Sequence, residues 1–329
     1  MIDAPLVGPA DVLIRVRAAG LCETDVFFYS HADELASFGI PMPLTMGHEV
    51  AGEVVEVGRE VTVLRPGDRV VVEPNVTCGT CLPCRSGRPD VCAKLVGIGQ
   101  TRDGGFAEYL SAPAGFVHQL PSSVTYEVGA LAEPVACALH GFRRTRLRSG
   151  EDVLLIGDGF FGLVFAQVAR VLGARRIVIL GHHENRLAIA RAEGADFALD
   201  ERSPEAEEML SSLGDGLGPH VVIDTVGSST SLPLAIKSVM AGGRVGVFGV
   251  SSSEVTLNPV MLMLKAPDIV GLVGNPVVWP EVLRLLETGA INPATLVSHV
   301  LPLVDLPRAF ALKSSRAPEV LKIVVTSGG

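Results

Sequence analysis

The sequence predicts an α/β protein in two parts, a small antiparallel β-barrel or sandwich followed by a doubly wound parallel sheet. Three observations predict it. The texture of the chain changes near Val135, a glycine fingerprint opens the second part, and a Gly/Pro-rich loop with four cysteines interrupts the first. The chain has 329 residues and is 48% hydrophobic, so two cores are within reach. The usual domain length of about 100–200 residues agrees.

From Asp11 to about Pro121, short β-branched runs alternate with turns. The runs are Val12 to Val16, Val50 to Val57, Val70 to Glu73 and Phe106 to Leu110, separated by Gly58, Pro66-Gly67-Asp68 and Asp103-Gly104-Gly105. Period-two patterning with such turns reads as antiparallel strands. From about Val135 the pattern becomes strand, glycine turn, helix, repeated, with strands at Val153 to Ile156, Ile177 to Leu180, Val221 to Ile223 and Arg244 to Val247. Parallel α/β topology follows from that alternation. No internal repeat or low-complexity tract is visible.

Composition excludes several classes. Net charge is −9, and no basic run exceeds Arg143-Arg144 with its neighbours Arg146 and Arg148, so there is no nucleic-acid footprint. Those arginines are expected to cap a helix C-terminus. The opening Met1-Ile2-Asp3-Ala4-Pro5 lacks a basic n-region and an apolar h-region, and no stretch reaches the roughly 18 apolar residues of a membrane span. A cytoplasmic protein with no membrane partner is expected.

Cys78, Cys81, Cys84 and Cys92 form a C-x2-C-x2-C-x7-C run within residues 77–94. Thiolates separated by tight turns can converge on one ion without a core beneath them, so the spacing predicts a closed structural zinc site. A pair of disulfides is the alternative, disfavoured by the missing secretory leader and the crowding of the four.

Gly157-Asp158-Gly159-Phe160-Phe161-Gly162 follows the strand Val153 to Ile156 directly and precedes a helical pattern from Leu163 to Leu172. In that context the first glycine makes the turn, the second admits a pyrophosphate, and the third lets helix pack on strand. A dinucleotide is implied, with Thr225, Val226, Val250 and Leu272 at later strand ends as further cofactor neighbours. The next strand ends at Gly181 where an NAD site usually carries an acid. Gly181 leaves room for a 2′-phosphate, and His182, His183 and Arg186 offer donors. NADP is favoured on these grounds, with NAD the alternative because Glu184 could reach a ribose.

Outside the cysteine loop, Gly20-Leu21-Cys22-Glu23-Thr24-Asp25 and Gly47-His48-Glu49-Val50-Ala51-Gly52 supply a thiolate, an imidazole and a carboxylate. Mixed ligands suggest a second, catalytic zinc with an open position. Glu133, in Leu131-Ala132-Glu133-Pro134, adds a carboxylate.

On these motifs, with Pro66-Gly67-Asp68-Arg69-Val70 and in this order, nearly the whole chain resembles the zinc-containing medium-chain dehydrogenase/reductase family, the alcohol, polyol and threonine dehydrogenase group. The resemblance implies a GroES-like catalytic domain at 1–134 carrying the zinc lobe, a Rossmann domain at 135–274, and a return to the catalytic domain at 275–329, with a cleft at the junction. It further implies a catalytic zinc on Cys22, His48 and Glu49, Glu133 close by or exchanging with Glu49, Asp25 orienting His48, and Thr24 taking the alcohol proton. Hydride would pass between a nicotinamide and a secondary alcohol or ketone, with a polyol or cyclitol-like substrate in view. Relatives join as dimers or tetramers through a Rossmann edge, here expected around Asp268 to Val273.

Two departures stand out. Phe27, followed by Phe28 and Tyr29, occupies the place of a relay histidine, which implies a shortened proton path and an apolar pocket wall with Phe106 and Trp279. The chain also begins where relatives have completed a hairpin, so an unpaired strand edge is expected near residues 11–17. Two alternatives remain on the same fold, a zinc-independent quinone or enoyl reductase and a catalytically silent nucleotide-binding or regulatory protein.

Overall fold

The structure is a computed structural model that describes residues 3–251, 254–274 and 276–328. It comprises two compact units, one drawn from residues up to Ala136 and from Gly274 onward, the other spanning Cys137–Val273. The expected return at 275 begins on Asn275, which lies outside the described residues.

The first unit is built on a seven-stranded sheet. Its strands run in the order Val297–Pro302, Lys322–Thr326, Asp11–Leu21, Glu49–Val57, Arg69–Val72, Val117–Gln119, with Tyr109–Pro113 added beside Asp11–Leu21. Alternating apolar residues of these strands, among them Val12, Ile14, Val16, Val54, Val70, Ile323 and Val325, face one core. The pairings are antiparallel except that of Val297–Pro302 with Lys322–Thr326, which is parallel.

Two expectations for this unit are corrected. Asp11–Leu21 has no open edge: Asp11 to Arg15 pair with Tyr109–Pro113, and Ala18 to Leu21 pair with Lys322–Thr326. Phe106 does not begin a strand. Residues Gly104, Gly105 and Phe106 donate their amides to Thr45, Gly47 and Met46, and strand geometry starts only at Tyr109. A Cβ on Gly47 (φ +97°) would lie 2.8 Å from the Phe106 ring, so this close crossing requires glycine.

The second unit is a six-stranded sheet, ordered Phe197–Asp200, Arg176–Gly181, Asp152–Ile156, Val221–Asp224, Arg244–Val247, Asp268–Gly271. Every neighbouring pair is parallel. The order reverses between Asp152–Ile156 and Val221–Asp224, and ligands of such sheets bind beyond the strand ends at that switch point. Phe197–Asp200 has only four residues and carries no strong sequence signal. Asp268–Gly271 is the outermost strand on the opposite side. The helix Ala132–Thr145 carries Arg143 and Arg144 in its last turn, where they meet the negative end of its dipole.

Candidate functional site

Three strands of the first unit assemble the mixed ligand set. Gly20 lies opposite Glu49 across one pairing and Leu21 opposite Ile323 across the other, so Cys22, Glu49 and Lys322 meet at one place. The ligand atoms of Cys22, His48 and Glu49 all lie within 4.8 Å of one another, and all three residues are buried. Cys22 caps the helix Glu23–Ser30. Asp25, three residues on, accepts the Cys22 amide at 2.9 Å and places its other oxygen 3.2 Å from His48 Nδ1. That second contact is at ion-pair distance, and His48 Nδ1 makes no hydrogen bond of adequate geometry among the described residues. One buried carboxylate thus braces two ligands. Thr24 places its hydroxyl 3.7 Å from Cys22 Sγ.

Glu49 is bound on one side only. Its Oε1 accepts Lys322 Nζ at 2.5 Å, while Oε2 is buried with no hydrogen-bond partner among the described residues. A Cβ on Gly20 would sit 1.9 Å from Oε2, so the glycine of the Gly20 to Asp25 motif exists to clear this carboxylate. Lys322 also donates to the Leu21 carbonyl at 3.3 Å. Burial lowers the basicity of Lys322, but Glu49, Cys22 and Glu133 outweigh it and the ammonium is held above its ordinary range. Burial likewise lowers that of His48, and Asp25 with help from Cys22 raises it well above the usual imidazole value. A thiol, an imidazole and a half-satisfied buried carboxylate are a donor set that fits a zinc ion, whose binding would displace protons. Glu133 is buried near enough to Lys322 to act on it, yet stands outside the three clustered donors.

The four cysteines of the loop also converge. Sγ separations are 3.4 Å for Cys81 and Cys84, 3.8 Å for Cys81 and Cys92, and 3.5 Å for Cys78 and Cys92. A tetrahedron with Zn–S bonds of about 2.3 Å has edges of about 3.8 Å, so the loop is folded to the size of the ion. None is in a disulfide. The Thr80 hydroxyl and nearby amides pull Cys78 down to about 5, the Cys84 and Ala93 amides lower Cys81, and burial with neighbouring sulfurs pushes Cys84 up to about 12. Amides aimed at sulfur are the support a thiolate cluster needs.

The aromatic residues divide. Phe27 is exposed and stacks on His31 at 4.3 Å, and Phe28 is half-buried. Phe106 packs on Phe310, and Trp279, 1% exposed, stacks on His118, so both are packed within the first unit.

In the second unit, Gly157 (φ +113°) turns under Thr225, whose hydroxyl would be 2.4 Å from an added Cβ, and a Cβ on Gly162 would strike the Gly157 carbonyl at 2.0 Å. Around Gly159 an added Cβ meets nothing within 4 Å. Open space at the middle glycine, at the start of the helix Phe160–Val171, is the cradle a pyrophosphate fits. Phe160 and Phe161 are the first residues of that helix; Phe161 packs on Phe248. Val226 and Val250 are exposed, whereas Leu272 is buried, and its side chain packs beside Gly141 and Gly246. Leu272 therefore fills the core and offers a cofactor its backbone at most.

Past Gly181 the arrangement departs from expectation. The space beside Gly181 is filled: an added Cβ would lie 2.4 Å from the Asp158 Cβ and 2.5 Å from its Oδ2. That carboxylate accepts the amides of His182 and His183 at 2.9 and 2.7 Å and lies 3.0 Å from His183 Nδ1. Arg186 Nη1 is 3.9 Å from Oδ1. Burial alone would raise the Asp158 carboxyl, but these partners outweigh it and hold it below the usual range. Glu184 pairs with Arg191 at 2.7 Å and is directed there, not to a ribose. Asp158 and Lys322 were absent from the candidate residues. The signals were present, an acid inside a glycine fingerprint and a lysine within the apolar run Val320 to Val325.

Residues 8–122 match the alcohol dehydrogenase GroES-like domain family and residues 161–288 the zinc-binding dehydrogenase family. An L-threonine 3-dehydrogenase of Legionella pneumophila is 34% identical over 316 residues, 95% of this chain and 92% of the relative. A zinc-binding dehydrogenase of Sinorhizobium meliloti, solved bound to NADP, superposes with a TM-score of 0.89 at 31% identity over 99% of this chain and 94% of that one. The 2R,3R-butanediol dehydrogenase of Bacillus subtilis does so with a TM-score of 0.89 at 27% identity over 100% and 95%. No helix among the described residues is long and apolar enough to cross a membrane.

Proposed function

This chain belongs to the zinc-binding dehydrogenases of the medium-chain dehydrogenase/reductase family, and from that premise we propose that it interconverts a secondary alcohol and its ketone with NADP(H). The observation that carries the reading is the buried convergence of Cys22, His48 and Glu49 with Asp25 behind them. A zinc ion held there supplies Lewis acidity toward an alcohol oxygen, and the nicotinamide supplies the carbon that exchanges hydride. The chain's own residues do the rest. Asp25 fixes the His48 ring and the Cys22 backbone. The Thr24 hydroxyl, beside Cys22, takes the alcohol proton and passes it on to water. Phe27, in place of a second base, ends the protein's part of that path. Cys78, Cys81, Cys84 and Cys92 would hold the structural zinc.

For substrate we favour a small secondary alcohol with a second polar group on the adjacent carbon. L-threonine and 2R,3R-butanediol, named for the relatives, share that feature. The donors His182, His183 and Arg186 support NADP over NAD, as does the NADP-bound relative. Pairing of Asp268–Gly271 edges in a dimer or tetramer and residence in a reducing, cytoplasmic compartment complete the reading; the six cysteines without a disulfide support the latter. The test is a screen of such alcohols and ketones with both nicotinamides, run on protein of measured zinc content. Turnover that requires His48 and tracks one of the two zincs is expected. Activity undiminished in His48→Ala would overturn the assignment.

A further inference from the structure

An acid stands at the strand end after all, supplied by the glycine loop. Asp158 occupies the volume that a side chain at position 181 would enter, so the two positions are interdependent: with Asp at 158, residue 181 has room only for glycine. Its carboxylate is recessed. The Asp158 side chain is 7% exposed, against 30% for His183 and 50% for His182. A ligand arriving over this turn therefore meets imidazole first.

We propose that Asp158 is the positioning residue of the cofactor's 2′-phosphate subsite, pinning the His182-His183 turn from beneath so that His183 and its neighbours face the phosphate. This rests on the NADP reading above. The Asp158 Oδ2 takes both amides of the turn, which fixes its backbone, and also holds His183 at Nδ1. An imidazole held at Nδ1 by a carboxylate offers Nε2 to its other side, and in the charged form it donates to both. A buried anion behind and a phosphate in front are bridged by that ring, with Arg186 neutralising the carboxylate from the side. His182 is drawn toward Glu201, 3.2 Å from its Nδ1, so His183 is the principal contact. The carboxylate is committed to the protein, which distinguishes it from a strand-end acid open to a ribose 2′-hydroxyl.

Two probes report the subsite without turnover: adenosine 2′,5′-bisphosphate and adenosine 5′-monophosphate, titrated calorimetrically into the zinc-loaded protein. The parent should prefer the bisphosphate tenfold or more. Asp158→Ala should lower that preference at least fivefold, a change in the ratio of the two affinities that a lesion weakening both probes alike would not produce. Asp158→Asn, nearly the same shape, keeps an acceptor for the turn but not the charge, and should fall between; it carries the test if the alanine variant does not fold. In a His183→Ala background, Asp158→Asn should have little further effect. A parent without bisphosphate preference overturns the NADP reading itself. A preference that is present in the parent and unchanged or increased in the Asp158 variants overturns the proposal alone.

Discussion

Replacing Lys322 with Met removes one half of a fully enclosed ion pair and leaves the volume nearly unchanged. Lys322 is 2% exposed and Glu49 is 0% exposed, so screening by solvent does not reduce the effect. Breaking such a pair from one side costs about 3–5 kcal/mol, because the remaining charge is stranded. For a unit of this size each kcal/mol lowers the melting temperature by roughly 2–4 °C, giving a fall of about 6–20 °C. Metal should soften it. With zinc present the stranded Glu49 carboxylate gains a cation partner, so the fall should be smaller in zinc-saturated protein than in protein depleted at this site. The assay is differential scanning calorimetry on Lys322→Met and the parent at both metal contents, with zinc measured by atomic emission. A depleted variant melting within 2 °C of the depleted parent would refute the reasoning. So would a fall that is larger with zinc than without.

Cys84→Ser should lower melting temperature and zinc content together, since the loop's sulfurs hold the ion for folding; loss of one zinc at unchanged melting temperature would remove its structural role. His48→Ala should abolish hydride transfer while NADP(H) affinity, measured by fluorescence titration, changes less than about threefold, because the glycine loop lies in the other unit. Asp152 supports the second unit: burial would raise its carboxyl, but Arg175, Arg176 and the Gly214 amide hold it well below the usual range. Its stabilisation is complete above the ordinary aspartate value of about 3.9 and is lost as pH falls below that toward the folded value. Asp152→Asn should therefore cost about 1.5–3 kcal/mol near neutrality in urea titrations and flatten the acid limb of the stability profile; an unchanged slope below pH 4 would contradict it.

What was legible in the sequence was what is local along it. The four cysteines close a loop of their own, and the glycine fingerprint sits between a strand and a helix that announce themselves. Their chemistry could be read from spacing. Lys322 reaches Glu49 across 273 positions, and no periodicity marks that contact. Asp158 reaches His182 across 24, near in space only because two parallel strands end side by side. The reading of Gly181 as an empty place failed for the same reason: a missing side chain in one segment says nothing about what a neighbouring segment puts there. Phe106 was misplaced because its apolar run continues a strand pattern, while Gly104 and Gly105 bind the chain across to Thr45 and Gly47.

The pairing of Asp11–Leu21 with Lys322–Thr326 bears on the order in which the protein is made. The cysteine loop can be complete once residue 92 has been synthesised. The mixed ligand set cannot, for its buried lysine leaves the ribosome only after the whole nucleotide-binding unit. Until then Cys22, His48 and Glu49 flank a strand edge that lacks its neighbour, with a carboxylate that lacks its counter-charge. Closing contacts of such long range is slow. A nascent chain stalled before residue 322 should already retain one zinc and bind dinucleotide, yet hold its catalytic residues unassembled, so the reactive centre matures after both the cysteine loop and the nucleotide-binding unit.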